Sequence, residues 1–436
     1  MKIAIITAGG RGDVQPYIAL GSGLKKAGYD VRMPATEEFS DLITENGLEY
    51  IQTNSVNSQD FLRSLEMKEA AKSKNKLMFV RTMFKALKPM IESIFNETWA
   101  ACQGCDLIIT TMGPMGAHDS AEKLGIPCIH TLLVPVCPTT GFQSPFTPKF
   151  FNLGIYNKFT HKLTEQIVWQ PFRAITNSWR KDVLGLKPCD FWGVFRKVYQ
   201  ERVPVISGFS SSIIPCQEDW PESVKISGYW FLDEPENWLP PEDLNEFLNA
   251  GSPPVYIGFG SMVDKEPERI TKIALEALRL SGQRGILSSG WNGLGSEKLP
   301  ETVFKVGSIP HSWLFKRMAA IVHHGGAGTT AAALRSGVPQ IITPFFCDQP
   351  FWGERVLELG VGPKSIPYSW LTPGKLAELI NIAVNNKEMK TKAKILGKTI
   401  ASENGVQNAV DMIQKYLSTI SKSTISKSTI NKSTGI

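Results

Sequence analysis

The sequence predicts an α/β protein built from two doubly wound domains with parallel sheets. Three observations predict it. Strand-like and helix-like segments alternate from residue 2 to about residue 132. A stretch rich in Pro, Trp and Glu, "WFLDEPENWLPPEDLNEFLNAGSPP", interrupts them, and the alternation restarts at Val255. A chain of 436 residues exceeds one ordinary core and suits two domains of roughly 200 residues each. Alternation of this kind implies parallel strands with helices on both faces.

The elements follow in order. "KIAIIT" opens the first domain and leads through a glycine-rich turn into a helix over 16–27. "DVRMPA", a helix over about 37–46 and "LEYIQT" come next, then a long helical stretch over about 60–101. "DLIITT", a helix around 116–124 and "IPCIHTLL" complete the pattern. Residues 142–200 differ, because aromatic and basic residues interleave there at helical spacing. They suit the wall of an apolar pocket with a basic rim able to rest on a membrane, or helices packed on the domain with a solvated face. Phe142 and Phe146 open this stretch.

After the linker come "VYIGFGSM", a helix over 266–281, "RGILSSGW", "VFKVGSIP", "AAIVHH", a helix from about 328, "PQIITP", a helix over 349–359 and "GPKSI" as a last strand. Helical segments over 373–400 and 405–417 follow. The chain ends in a five-residue repeat, "STISK", which is polar and has no burial pattern, so a disordered tail is expected over 418–436. The expected division is a first domain over 1–232, a linker over 233–252 and a second domain over 253–404.

Composition excludes several classes. Apolar residues make up 42% and charged residues 20%, which suits a globular chain. A net charge of +6 is too small for a dedicated nucleic-acid binder. Seven cysteines form no framework, and a reduced, cytoplasmic monomer is expected. Cys102 and Cys105 have CxxC spacing, but no second pair or His cluster completes a zinc site in sequence, so they are read as core thiols. No stretch reaches the ~20 apolar residues of a spanning helix, and the first residues enter a strand directly.

Two stretches carry chemistry. "IVHHGGAGTTAAALRSGVP" passes from a buried strand through glycines into a helix. Gly326 and Gly328 allow close backbone approach, and Thr329 and Thr330 open a helix whose free N–H groups favour an anion. His324 ends the strand and offers a hydrogen bond to a phosphate oxygen; a core histidine at a packing turn is the plain alternative. One strand over, Asp348 and Gln349 suit vicinal hydroxyls, or Asp348 simply caps the next helix. Gly260 and Ser261 end the domain's first strand, a further approach to the phosphates. A phosphate-type turn beside a hydroxyl-type pair suggests a nucleotide sugar.

The other stretch is "TAGGRGDVQP" at residues 7–16. A dinucleotide fingerprint needs G-x-G-x-x-G, and Gln15 stands where the third glycine would be, so a nicotinamide enzyme is disfavoured.

At these residues the chain resembles a known family. The segment "GSIPHSWLFKRMAAIVHHGGAGTTAAALRSGVPQIITPFFCDQPFWGERVLELGVGP" resembles the nucleotide-sugar box of the inverting UDP-glycosyltransferase superfamily, and is most like its sterol 3-beta-glucosyltransferase and antibiotic-aglycone branches. "GGRGDVQPYIALGSGLKKAGYDVRMPA", "EKLGIPCI" and "WRKDVLGL" resemble the N-terminal part of the same families. The resemblance implies a GT-B fold, with Rossmann-like domains facing across a cleft, the donor in the second domain, the acceptor in the first, and the last helix crossing back to the first domain.

It also implies roles. The phosphate-contacting histidine falls on His324, the donor-sugar pair on Asp348 and Gln349, and the general base on Asp13. Arg11, Gly12 and His118 fall on the acceptor side, and His118 equally suits an ordinary helix start. Two departures stand out. The uracil-stacking Trp of the plant members has no match beside Pro310, leaving Trp291 as a substitute or a core residue. Their ribose-binding Glu aligns with Ala332.

The implied reaction is a single displacement at the anomeric carbon. Asp13 takes the acceptor proton while UDP leaves from the opposite face; its plain alternative is a helix cap. No D-x-D motif occurs in the sequence, so a metal-free reaction without cofactor is expected, with UDP-glucose as co-substrate and a sterol or related lipid alcohol as acceptor. A polyketide, peptide or phenolic acceptor is the alternative. A non-transferring nucleotide-sugar binder or an epimerase is the remoter one.

Overall fold

In the first domain, runs of Ile, Val and Leu too apolar for a half-exposed sheet fold into strands buried on both faces. The computed structural model describes residues 1–53, 76–113, 115–149, 151, 153–233, 238–260, 267–288 and 299–433. Seven parallel strands pair in the order β3-β2-β1-β4-β5-β6-β7. They are β1 (Lys2–Ile6), β2 (Asp30–Ala35), β3 (Glu49–Gln52), β4 (Leu107–Thr111), β5 (Cys128–Leu132), β6 (Val205–Ser207) and β7 (Val224–Ile226). The last two are only three residues long and give no periodic signal of their own. Five further strands pair as β10-β9-β8-β11-β12: β8 (Val255–Gly258), β9 (Gly285–Ser288), β10 (Val303–Val306), β11 (Ala320–His323) and β12 (Gln340–Ile342).

In both sheets the order reverses beside the domain's first strand, between β1 and β4 and between β8 and β11. Loops leaving the carboxyl ends of strands at such a reversal open into a crevice, where ligands of open α/β sheets bind. The glycine turn after β1 and the loops after β8 and β11 all lie there.

Helix α1 (Arg11–Lys26) starts five residues before the expected position. Among the described residues the first domain also holds the helices α2 (Ser40–Glu45), α3 (Lys76–Cys102), α4 (Ala117–Leu124), α5 (Gly154–Asp182) and α6 (Gly193–Gln200). Those of the second are α7 (Glu242–Asn249), α8 (Pro267–Ser281), α9 (His311–Leu314), α10 (Ala327–Ser336), α11 (Gln349–Glu358), α12 (Pro373–Asn385) and α13 (Lys387–Ser402). The expected helix over 373–400 divides because Asn386 caps a new start, accepting the Met389 N–H at 3.0 Å. Gly362–Ile366 forms no strand, contrary to expectation. Pro363 and Pro367 remove donors that a ladder requires, and Ile366 alone bonds Ile342, at 3.3 Å.

Helix α14 (Gly405–Ser433) returns to the first domain, where Ala409, Val410 and Ile413 join the core of β1, α1 and β2. It runs through the repeats to Ser433, where a disordered tail was expected. No Gly or Pro stands between Val406 and Ser433, so nothing in the sequence stops it. All seven cysteines are free, and Cys102 and Cys105 are buried as core thiols. Among the described residues no helix is long and apolar enough to cross a membrane.

Candidate active site between the two domains

The turn after β1 is shaped around one carboxylate. Gly9 has φ +134°, and a Cβ there would stand 2.3 Å from Asp13 Oδ2. Gly10 is the N-cap of α1, and its N–H donates to Asp13 Oδ2 at 3.0 Å. Asp13 is therefore the third residue of the helix, reaching back to the cap backbone, and not the cap itself. Thr7 donates its hydroxyl to the Asp13 carbonyl at 3.1 Å. One turn on, buried Tyr17 fixes the helix through a 2.8 Å hydrogen bond to Thr131 and an edge contact with Trp230.

Solvent reaches Asp13 through the cleft, yet protein encloses it on most sides. That enclosure raises its pKa, the Gly10 N–H opposes the rise, and the Asp348 carboxylate facing it from the second domain adds to it. Asp348 is itself held above the usual carboxylate range by burial, while Trp352 Nε1–H donates to its Oδ2 at 2.8 Å and works the other way. Its side chain makes no cap hydrogen bond with α11. Cys347, with φ +58°, delivers Asp348 from a loop in an unusual backbone conformation.

The His323–His324 pair divides its work. His323 is fully buried: Nδ1 accepts the Gly325 N–H at 3.0 Å, so Nε2–H donates to Gln340 at 2.8 Å. Burial lowers its pKa to about 3. The His324 ring lies between two glycines. A Cβ on Gly326 would approach its Nε2 to 2.4 Å, and one on Gly260, where φ is +61°, its Cε1 to 3.1 Å. Burial lowers the His324 pKa to about 4, so the ring is neutral near pH 7, and its Nδ1 is buried without a hydrogen-bond partner.

The two helix N-termini meet here. A Cβ on Gly328 would lie 3.9 Å from the Cα of Gly12. Thr329 is half-buried, and Thr330 is fully buried with an unpartnered hydroxyl. Arg11 bonds Gln15 at 3.0 Å and crosses to Ser308 at 3.3 Å. It also helps depress His311 to about 4, after burial. Arg11 thus faces the second domain and not only the acceptor side.

The structure brings Asp13, Arg11, Gly12, Gly260, His324, Gly326, Gly328, Thr329, Thr330 and Asp348 to one cleft. Gln349 is buried, and its amide oxygen accepts the Phe345 N–H at 2.7 Å, which shapes the Asp348 loop. Phe142 is half-buried and bridges the domains, packing on His161 and on Phe351 of α11 at 5.8 Å between ring centres. Phe146 is exposed. Ser261 and Trp291 lie outside the described residues.

Of the two places the sequence left equal for His118, the structure shows the helix start. His118 is buried at the start of α4, with Nδ1 3.1 Å from His130 Nε2 and Cys128 close by. The charges that act on it are Asp119, Lys197, Glu122 and Glu201, none of them at the cleft. Two contributors escaped the sequence reading, Gly9 and Trp352. Only the i,i+4 spacing of Asp348 and Trp352 on one helix face could have flagged the second.

The glycosyltransferase family 28 N-terminal domain matches residues 3–142. The erythromycin biosynthesis protein CIII-like C-terminal domain matches residues 291–415. A sterol 3-beta-glucosyltransferase of Cryptococcus neoformans is 34% identical over 97% of this chain and 28% of its own length. One from Komagataella phaffii is 36% identical over 97% of this chain and 35% of its own length. The chain thus spans about a third of these relatives or less.

The calicheamicin glycosyltransferase CalG4 superposes with a TM-score of 0.69 at 19% identity, covering 96% of this chain and 98% of its own. The Streptomyces sp. SF2575 glycosyltransferase SsfS6, complexed with thymidine diphosphate, gives 0.60 at 17% identity, covering 95% and 99%. At such identity these likenesses speak for the fold alone. The two domain families match the two halves of the chain, and its fold is the GT-B fold of these glycosyltransferases.

Proposed function

We propose that this protein transfers glucose from UDP-glucose to the hydroxyl of a sterol or related lipid alcohol, by a metal-independent single displacement with inversion. The observation that carries this reading is the convergence of Asp13 from one domain with His324 and Asp348 from the other, at facing sheet reversals. The curated relatives, each named a sterol 3-beta-glucosyltransferase, support the acceptor class and the sugar.

Asp13 accepts the proton of the acceptor hydroxyl as its oxygen attacks the anomeric carbon. Its raised pKa makes it a better base than an exposed carboxylate. Asp348, oriented by Trp352, receives sugar hydroxyls. The diphosphate sits at the N-terminus of α10, where backbone N–H groups, Thr329, Thr330 and one N–H of the neutral His324 ring meet its growing charge. Gly260 approaches it from the loop after β8. The reading places the work in the reducing interior of a cell, and UDP-glucose arrives as co-substrate.

A panel of sterols, phenols and polyketide alcohols incubated with UDP-glucose and read by mass spectrometry tests the acceptor. The expected product is a sterol hexoside, formed equally in EDTA. Transfer to the phenols or polyketides alone overturns the acceptor assignment. Loss of activity in EDTA, restored by Mg²⁺ or Mn²⁺, overturns the metal-free displacement.

A further inference from the structure

Strand β5 sets Cys128 and His130 on one face of the first sheet, because side chains two residues apart on a strand point the same way. Helix α4 covers that face, where Cys128 packs with Ala117 and Ala121. His118 stands in the first turn of α4, and its Nδ1 lies 3.1 Å from His130 Nε2. His118, Cys128 and His130 each bring one ligand atom to within 4.8 Å of the others. All three are buried, at 8%, 7% and 0% exposure. None of them enters the transfer proposed above.

Burial lowers the pKa of both histidines, so neither ring is charged near pH 7. A neutral imidazole has one N–H and one lone pair, so two facing rings make a single N–H···N bond. The outer nitrogens, His118 Nε2 and His130 Nδ1, are buried without partners. One is then an N–H and the other a bare lone pair. A cation between the rings takes both facing lone pairs and makes both outer nitrogens N–H groups. Two atoms stay unpartnered either way, so coordination adds no unsatisfied group. A separation of 3.1 Å also suits two nitrogens on one ion, each about 2 Å from it.

The donors select the ion. A thiolate and two imidazoles suit Cu(I) or Zn(II), whereas Mg²⁺ and Mn²⁺ prefer oxygen. Among the described residues no fourth His, Cys, Asp or Glu joins the three. Asp119, next to His118 in sequence, is already paired with Arg180. Zn(II) takes four ligands and would leave one uncancelled positive charge in a dry core. Cu(I) accepts three, and its charge cancels that of the thiolate.

We propose that His118, Cys128 and His130 bind one Cu(I) ion, which ties α4 to β5. As the copper–sulfur bond forms, the Cys128 thiol gives its proton to water. Both imidazoles coordinate as neutral rings, and no electron is transferred. The ion holds structure and takes no part in glucosyl transfer, so this inference does not depend on the proposed function. Mg²⁺ or Mn²⁺ would not fill the site, so the chelator test above and the test below fail separately.

Metal analysis of the full chain, expressed with added copper and zinc and dialysed against EDTA, tests the proposal. The wild type is expected to retain about one copper per chain and less than about a tenth of a zinc. Its X-ray absorption edge should be that of Cu(I), with one sulfur and two nitrogen neighbours. Cys128→Ser and His130→Gln, each keeping the wild-type circular dichroism, should lower the copper about tenfold. Cys102→Ala, which removes a buried thiol outside the three, should keep it. A wild type without copper overturns the proposal, as does copper that survives both substitutions. Zinc at one per chain overturns the choice of a monovalent ion. The wild-type spectrum decides even where a variant fails to fold: copper with no sulfur neighbour overturns the assignment.

Discussion

At the residue scale, the cleft is governed by two facing carboxylates and a pinned imidazole. Burial first, and then Asp348, raises the Asp13 pKa. A general base works only when deprotonated, so kcat/KM should fall as pH drops through a value above the ordinary 3.8. Asp348→Asn removes a negative charge that favours protonated Asp13. The acid limb of the pH profile should then move to lower pH, whatever happens to the absolute rate; pH-dependent kinetics on the variant check this. The imidazole makes a different demand. Gly326→Ala sets a Cβ 2.4 Å from His324 Nε2, which must turn the ring. The KM for the nucleotide sugar should rise about tenfold or more, as expected when a ligand hydrogen bond worth roughly 1.5 kcal/mol is lost. Initial-rate measurements over donor concentration check it. Asp13, His324 and Asp348 were legible in sequence because glycine turns and acid–amide pairs stand at strand ends. The packing of Gly9 on Asp13 was not, since it depends on a side chain folding back over its own turn. His118 stood open in the sequence because a histidine at a helix start looks alike whether it faces a cleft or, as here, another buried histidine.

At the element scale, α5 is tied to α4 by a buried ion pair. Arg180 bonds Asp119 and reaches Glu122 at 3.0 Å, with the Arg180 and Asp119 side chains 4% and 7% exposed. Arg180→Ala strands the Asp119 charge without a partner, so it should cost about 3–5 kcal/mol. The double variant Arg180→Met, Asp119→Leu should cost much less, because no buried charge is left over. Urea unfolding of the three proteins measures both. Strand and helix order was largely legible, since the runs of Ile and Val and the intervening amphipathic helices are long. Three errors have local causes. The short strands β6 and β7 carry too few residues for a period. Pro363 and Pro367 deny strand pairing to a segment that looks apolar enough. The repeats at the end show no burial pattern, and the absence of any helix breaker, not a hydrophobic face, is what the sequence offers in favour of α14.

At the scale of the whole molecule, two sheets of the same design present their reversal points to each other. The glycine turn that opens α1 meets the glycine turn that opens α10, and charge from one domain acts on the other. Further ties hold the pair together: Arg335 to Asp233 at 2.5 Å, Arg355 to the Ile213 carbonyl at 2.6 Å, Ser210 to Glu403 at 2.6 Å, and α14 packed on α1. On the proposed reading the first domain aims a base and the second holds the anion and sugar sites, so transfer requires both. Turnover of UDP-glucose and sterol by Asp13→Asn, with UDP affinity measured on the same preparation, tests that division most directly. The account predicts a fall in kcat of about 100-fold or more, as for a lost general base, with UDP affinity unchanged. Wild-type turnover in that variant would contradict it.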